Sequence, residues 1–222
     1  MKVYKTKKLF YGKWLYKIET KTPGASLIKH WGFEKVKSVC EKGSPRLFGR
    51  SFGPDEKQSL LEYITAIQPY FGSDLKTRVE YDRLDYFVND VKLYKELSTI
   101  LEKWVVSITE PDSETDIESL QAKASTVLCN QLPHNKYRYK VYIRSGMPVH
   151  QRQQFKIWLE NYGDKVQYSK STTEWLDGKT YYSQCPFIYV EDQGLLLMAK
   201  MYLGNWAQKT HEFVIRDTQK SS

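Results

Sequence analysis

Two short stretches of this chain interleave aromatic and basic side chains with apolar ones: Tyr137-Arg138-Tyr139-Lys140-Val141-Tyr142-Ile143-Arg144 and Phe187-Ile188-Tyr189-Val190-Glu191. Read as β-strands with a period of two, the first puts Tyr137, Tyr139, Val141 and Ile143 on one face and Arg138, Lys140, Tyr142 and Arg144 on the other. The second sends Ile188 and Val190 inward and Phe187, Tyr189 and Glu191 outward. Rings beside cations on one sheet face suit the stacking of unpaired bases, at about 1–3 kcal/mol per base, with Lys and Arg meeting the phosphates. The same rings also suit a protein interface, where aromatics concentrate at the centre.

A second source of charge lies near the N-terminus. Residues 1–54 hold 13 Lys or Arg against three Glu and no Asp, whereas the whole chain carries only +8, so the remainder is net acidic. A surface charged in this way attracts polyanions over long range and by counterion release. The candidate phosphate contacts are Lys17 on a first strand and Lys29, Lys35, Lys37, Lys42, Arg46 and Arg50 in residues 22–54. Trp175, set in the polar stretch from Thr172 to Lys179, is a candidate clamp for a base or for a neighbouring unit.

Catalytic constellations are sparse. His30 beside Lys29, and His150 near Arg152, are the positions from which an imidazole could act as general acid–base in RNA cleavage, which keeps a metal-independent ribonuclease as an alternative. His134 flanks the same strand as His150, and His211 reads as a strand-edge residue. Asp82, Asp85, Asn89 and Asp90 do not predict a metal centre, because Asp85 and Asn89 have the opposite strand phase from Asp82, and Asp90 stands where a helix cap belongs. Cys40, Cys129 and Cys185 lack Cys-x-x-Cys spacing and predict free thiols in a reducing interior, with neither disulfide nor zinc. The Walker phosphate loop, the dinucleotide glycine fingerprint, the His-Glu-x-x-His helix and the Gly-x-Ser-x-Gly elbow are absent, and no cofactor is expected.

The elements that must position these residues occur twice. Leu84-Asp85-Tyr86-Phe87-Val88-Asn89-Asp90 is followed by an apolar-striped segment towards Trp104, and Pro186-Phe187-Ile188-Tyr189-Val190-Glu191-Asp192 by another towards Trp206, at one ungapped offset. Trp14–Ile18 and Val79–Tyr81 have counterparts, in the same order, in Tyr137–Val141 and Val166–Tyr168. In the second unit the expected elements are a strand over Tyr137–Arg144, a helix through Phe155, Trp158, Leu159 and Tyr162, and a short strand over Lys165–Ser169. A strand over Phe187–Glu191, a helix capped by Asp192 and a last strand over Glu212–Arg216 complete it. In the first unit they are a strand over Phe10–Ile18, a helix over Asp55–Phe71, two strands within residues 77–89, a helix capped by Asp90 and a strand over Val105–Thr109. Between its first strand and that helix, a short helix is expected over Ala25–Trp31 and another short element over Phe33–Cys40, then an ordered loop in which Leu47, Phe48 and Phe52 find something to bury.

The predicted fold class is therefore α+β, with tandem ferredoxin-like (split βαβ) units built on antiparallel four-stranded sheets. The expected domains are 1–109 with the basic insertion 22–54, an acidic linker and connecting helix over 110–132 with the helix at Ile117–Leu132, and 133–222. This plan resembles that of RNA-recognition-motif domains. Their third-strand signature is replaced here by Cys185-Pro-Phe-Ile-Tyr-Val and Arg83-Leu-Asp-Tyr-Phe-Val, so no family is assigned on sequence.

At 41% hydrophobic residues the chain can bury real cores, and no run of about 18 apolar residues predicts a membrane span. The basic N-terminus lacks the apolar region of a secretory signal. The expectation is an intracellular, cytoplasmic protein, in the host cytoplasm if viral, as a compact chain with few family marks suggests. Its expected role is non-catalytic binding of single-stranded RNA or DNA, RNA favoured. The alternatives are the ribonuclease and a protein-binding assembly or scaffold that pairs with a partner or a second copy through its sheet faces.

Overall fold

Asp90 and Asp192 each stop a strand and start a helix. Asp90 Oδ1 accepts from the backbone N–H of Lys92 at 2.6 Å, and Asp192 Oδ1 from that of Leu195 at 2.8 Å. The computed structural model in which they lie describes residues 1–43, 46–47, 50–180 and 186–216, with Leu47 and Arg50 described by backbone alone. The chain divides into two units, Met1–Ile117 and Glu118–Ser222.

Unit 1 begins with β1 (Lys2–Lys5). The strand expected over Phe10–Ile18 is broken at its start, because Tyr11 (φ 54°) and Gly12 (φ 69°) reverse the chain and bring Phe10 to bridge Trp14. β2 (Tyr16–Lys21) follows, then α1 (Ala25–Lys42). Gly32, at φ 76° and ψ 165°, breaks α1 into two helical pieces, at the junction the sequence places between its two expected short elements. β3 (Arg46–Leu47) and β4 (Arg50–Ser51) form a small hairpin in the basic insertion, and Phe52 is buried after it, while Phe48 lies outside the described residues. α2 (Pro54–Ile67) buries Leu60, Tyr63, Ile64 and Ile67, and its first turn is closed by the Gly53 N–H donating to Glu56 Oε2 at 3.1 Å. β5 (Leu75–Glu80) turns at Tyr81 into β6 (Arg83–Val88), and α3 (Val91–Ile100) leads to β7 (Val105–Glu110).

α4 (Glu114–Ala122) and β8 (Thr126–Cys129) replace the connecting helix expected over Ile117–Leu132. Unit 2 continues through β9 (Tyr139–Ile143), α5 (Val149–Glu160), β10 (Val166–Tyr168), α6 (Lys170–Leu176), β11 (Phe187–Val190), α7 (Gln193–Leu203) and β12 (Ala207–Ile215). Its inner face buries Val141, Ile143, Ile188 and Val190 against Phe155, Leu159, Leu196 and Ala199. Each such Val, Leu, Ile or Phe contributes about 1.5–3 kcal/mol when fully buried.

The two sheets share one plan. Unit 1 has the order β1-β7-β2-β6-β5, and unit 2, read from its other edge, β8-β12-β9-β11-β10. Both are five-stranded and mixed, which corrects the expected four antiparallel strands. The additional strand in each is the leading one, β1 or β8, and it pairs parallel with the last strand, β7 or β12. The likeness extends to detail: the 3₁₀ turns Glu102–Trp104 and Gly204–Trp206 sit at the same offset and open directly into β7 and β12.

Unit 1 also contains a buried chain of hydroxyls. Thr20 Oγ1 lies 2.7 Å from the Tyr63 hydroxyl, which lies 2.7 Å from that of Tyr86, and Thr20 donates to the Leu84 carbonyl at 2.8 Å. The chain of partners makes these polar groups tolerable inside an apolar layer. Cys40 and Cys129 are free thiols, Cys40 with its pKa raised by burial, and Cys185 lies outside the described residues. Among the described residues no helix is long and apolar enough to cross a membrane.

Candidate nucleic-acid interface

β9 and β11 lie side by side in unit 2, antiparallel, with Phe187 opposite Tyr142 and Tyr189 opposite Lys140. The alternation read from the sequence holds within β9 and β11, whereas Tyr137, expected on the inner face, precedes β9 and packs instead against the outer-face ring of Tyr189. Tyr139, Val141, Ile143, Ile188 and Val190 are buried, and Lys140, Tyr142, Phe187 and Tyr189 are half-buried on the face turned away from the helices.

The rings on this outer face touch one another. Phe187 and Tyr189 meet edge-to-face at 5.3 Å between centroids, Tyr142 and Phe187 lie tilted at 6.0 Å, and Tyr189 and Tyr137 stack at 6.1 Å. The Lys140 ammonium stands over them, 3.6 Å from the Phe187 centroid, 4.7 Å from Tyr142 and 5.4 Å from Tyr189. A cation held on ring faces is positioned without a carboxylate to neutralise it. Arg138 and Arg144 flank β9 and are exposed, roughly 20 Å apart for six residues of extended chain. Tyr137 closes one end of the cluster: its hydroxyl donates to the Asp164 carbonyl at 2.8 Å, and burial pushes its pKa up.

β12 adds residues that the sequence reading missed. Lys209 pairs in register with Tyr142 and His211 with Lys140, so both belong to this face, and Phe213 packs against Tyr189 at 6.1 Å. His211 meets Tyr142 edge-to-face at 5.2 Å. The expected last strand began at Glu212, whereas β12 begins at Ala207; reading the alternation five residues further back would have found them.

Two expected site residues lie elsewhere. Trp175 is 0% exposed, on α6 rather than in an open connection; its Nε1 donates to the Ser145 carbonyl at 3.2 Å, and Arg152 lies over its ring at 4.6 Å. It is a core residue and leaves the set of base-stacking candidates. Lys17 is held between two carboxylates, Glu19 at 2.9 Å and Asp85 at 3.2 Å, and Arg83 reaches Glu19 at 3.2 Å. Burial holds the Asp85 carboxyl above its ordinary range against the pull of Lys17. For Glu19 burial works in the same direction, but Lys17 and Arg83 outweigh it and leave the carboxyl below its ordinary range. Phe87, the aromatic on this face of unit 1, is covered by Phe10 at 5.4 Å and Tyr11 at 5.0 Å. The outer face of unit 1 is thus a compensated charge network, and Lys17 belongs to it.

In the insertion, Lys29, Lys35, Lys42 and Arg46 are exposed, Lys35 lies 5.8 Å from the Trp31 ring, and Lys37 donates to Gln68 Oε1 at 2.6 Å. The side chain of Arg50 lies outside the described residues. His30 on α1 and His150 on α5 are exposed. Asn89 Oδ1 accepts from the Leu15 N–H at 3.0 Å and Asp90 caps α3, so both acceptors are committed to the fold. Among the described residues no three or more His, Cys, Asp or Glu side chains are grouped to hold a metal ion.

Compared with known proteins, the chain matches no family model, and no curated protein or solved structure is significantly similar to it.

Proposed function

We propose that the chain binds single-stranded nucleic acid on the outer sheet face of unit 2, as a binding protein rather than a catalyst. The observation that supports this reading is the Lys140 ammonium seated over Phe187, Tyr142 and Tyr189. Bases stack on the rings, Lys140 meets a phosphate beside them, and Arg138 and Arg144 take the backbone on either side. RNA is favoured over DNA because sheet platforms suit splayed, unpaired RNA bases.

Salt dependence tests the reading. If Arg138, Lys140 and Arg144 each neutralise one phosphate, log affinity falls with log salt at a slope of about −2, a loss of roughly 20-fold between 50 and 200 mM. The assay is fluorescence anisotropy with an unstructured, end-labelled oligouridylate and its deoxy counterpart. An affinity unchanged across that range contradicts the phosphate track and leaves the rings to a protein partner or a second copy of the chain. Cleavage of the probe, lost in His30→Ala or His150→Ala, would move the reading to the nuclease.

A further inference from the structure

Unit 1 has a cleft of about 650 Å³ between α1 and β5, an edge strand of its sheet. The size is within the range of small-molecule sites. Three cations line it, Lys29 from α1 and Lys76 and Arg78 from β5, and no carboxylate does. Arg78 does pair with Glu80 at 2.8 Å, on the exposed side of the strand. Lys29 is exposed and has no partner among the described residues.

Two rings stand in the same cleft, Tyr11 and Phe33. Tyr11 is 57% exposed, although its ring meets that of Phe87 nearly at right angles, 5.0 Å between centroids. Lys76 Nζ stands 4.7 Å from the centroid of the Tyr11 ring, and Arg78 lies beside its hydroxyl. Tyr11 is held in that place by an αL backbone at φ 54°, an uncommon conformation for a bulky residue. On the opposite wall the break at Gly32 leaves space: a Cβ there would meet nothing within 4 Å. The cleft is therefore open, with cations from both α1 and β5 and an exposed ring in its lining.

We propose that this cleft binds a nucleotide, its phosphate held by Lys29, Lys76 and Arg78 and its base laid on Tyr11. A bare inorganic anion would use the cations but not the ring, and an apolar ligand would leave Lys29 and Lys76 unmatched. Arg and Lys together suit a phosphate, the guanidinium through paired N–H groups and the ammoniums as point charges. The ligand is either a free mononucleotide or one nucleotide of a strand. The inference stands apart from the platform of unit 2, which uses other residues.

Photo-crosslinking of the full chain with 4-thiouridine monophosphate and with a 4-thiouridine-containing octanucleotide, mapped by peptide mass spectrometry, tests it. The expected cross-links fall on Tyr11 or Phe33. Labelling by the monophosphate identifies a free nucleotide as the ligand, and labelling by the octanucleotide alone identifies a strand. Tyr11→Ala lowers the affinity for the labelling ligand at least about fivefold, Tyr11→Phe retains it, and Lys29→Ala with Lys76→Ala lowers it about tenfold or more. Phe187→Ala in unit 2 lowers oligonucleotide affinity at the platform yet leaves labelling of the cleft by the monophosphate unchanged, which separates this site from the platform. Absence of cross-links from peptides carrying residues 11, 33 and 76–79, competition by inorganic phosphate as effective as by uridine monophosphate, or indifference to Tyr11→Ala would overturn the proposal.

Discussion

Replacing Lys17 by Met tests whether that lysine holds the sheet of unit 1 together or is available to a ligand. Its ammonium lies 2.9 Å from Glu19 and 3.2 Å from Asp85, which at an effective dielectric constant of about 20 is an attraction of about 5 kcal/mol to each carboxylate. Desolvation and repulsion between the two acids offset most of that. What remains is the penalty for leaving Asp85, 2% exposed and with its second carboxylate oxygen already lacking a hydrogen-bond partner, as an uncompensated buried charge. Breaking a buried pair from one side costs about 3–5 kcal/mol, and the partial exposure of Lys17 and Glu19 places Lys17→Met near about 3 kcal/mol. The assay is urea unfolding at pH 7, followed by hydrogen exchange at the β2 and β6 amides. The double variant Lys17→Met/Asp85→Asn should recover at least half of the loss, because the stranded charge has gone. A loss below about 0.5 kcal/mol in Lys17→Met would refute this reasoning and return Lys17 to the candidate phosphate contacts.

The other expected outcomes concern pH, caps and the core. Asp85 has a raised pKa when folded, so the folded state binds its proton more readily than the unfolded chain does. Its contribution to stability is greatest in acid and is lost as pH rises from its ordinary 3.8 through the folded value; the difference in unfolding free energy between wild type and Asp85→Asn should therefore change across that window and level off above it. Asp90→Ala and Asp192→Ala should each cost about 1 kcal/mol in urea unfolding, since the two residues make matching caps in the two units; a loss from only one of them would contradict that equivalence. Trp175→Phe should lower stability, through the lost bond to the Ser145 carbonyl, while leaving oligonucleotide affinity unchanged within about twofold, since the residue is buried. Reduced binding by that variant at full stability would return Trp175 to the surface.

The parts of the fold that were legible in sequence are those in which one local signal decides the outcome. Alternation over Tyr139–Ile143 and Phe187–Val190 fixed which side chains face the helices, because a one-residue slip would have exposed every apolar residue of both strands. The repeated offset placed Asp90 and Asp192 as caps, and Trp104 and Trp206 before the closing strands.

The leading strands were hidden for a different reason. Lys2–Lys5 is exposed throughout and shows no buried alternation, and Thr126–Cys129 was absorbed into an apolar spacing that suits a helix. Both are strands because an edge was free to pair, a long-range fact that no local window contains. Likewise the Lys-Ser-Thr-Thr-Glu start of α6 gave no sign that Trp175 and Leu176 turn into the core. Lys17 looked like a basic strand position, yet its neighbour Asp85 comes from β6, 68 residues later, across the pairing of Lys17 with Phe87 and Glu19 with Asp85. The candidate face of unit 2 was legible through its rings and missed in part at Lys209 and His211, where a strand boundary five residues early in β12 decided which side chains joined the face.

The most direct test of the central claim is the affinity of an unstructured oligouridylate for wild type and for the Tyr142→Ala/Phe187→Ala double variant, measured by anisotropy at 50 mM salt, with circular dichroism and thermal unfolding of both proteins alongside. At about 1–3 kcal/mol for each stacked base, a folded double variant should bind at least about 30-fold more weakly than wild type. Equal affinity of the two folded proteins would contradict the outer face of unit 2 as the surface that holds the strand.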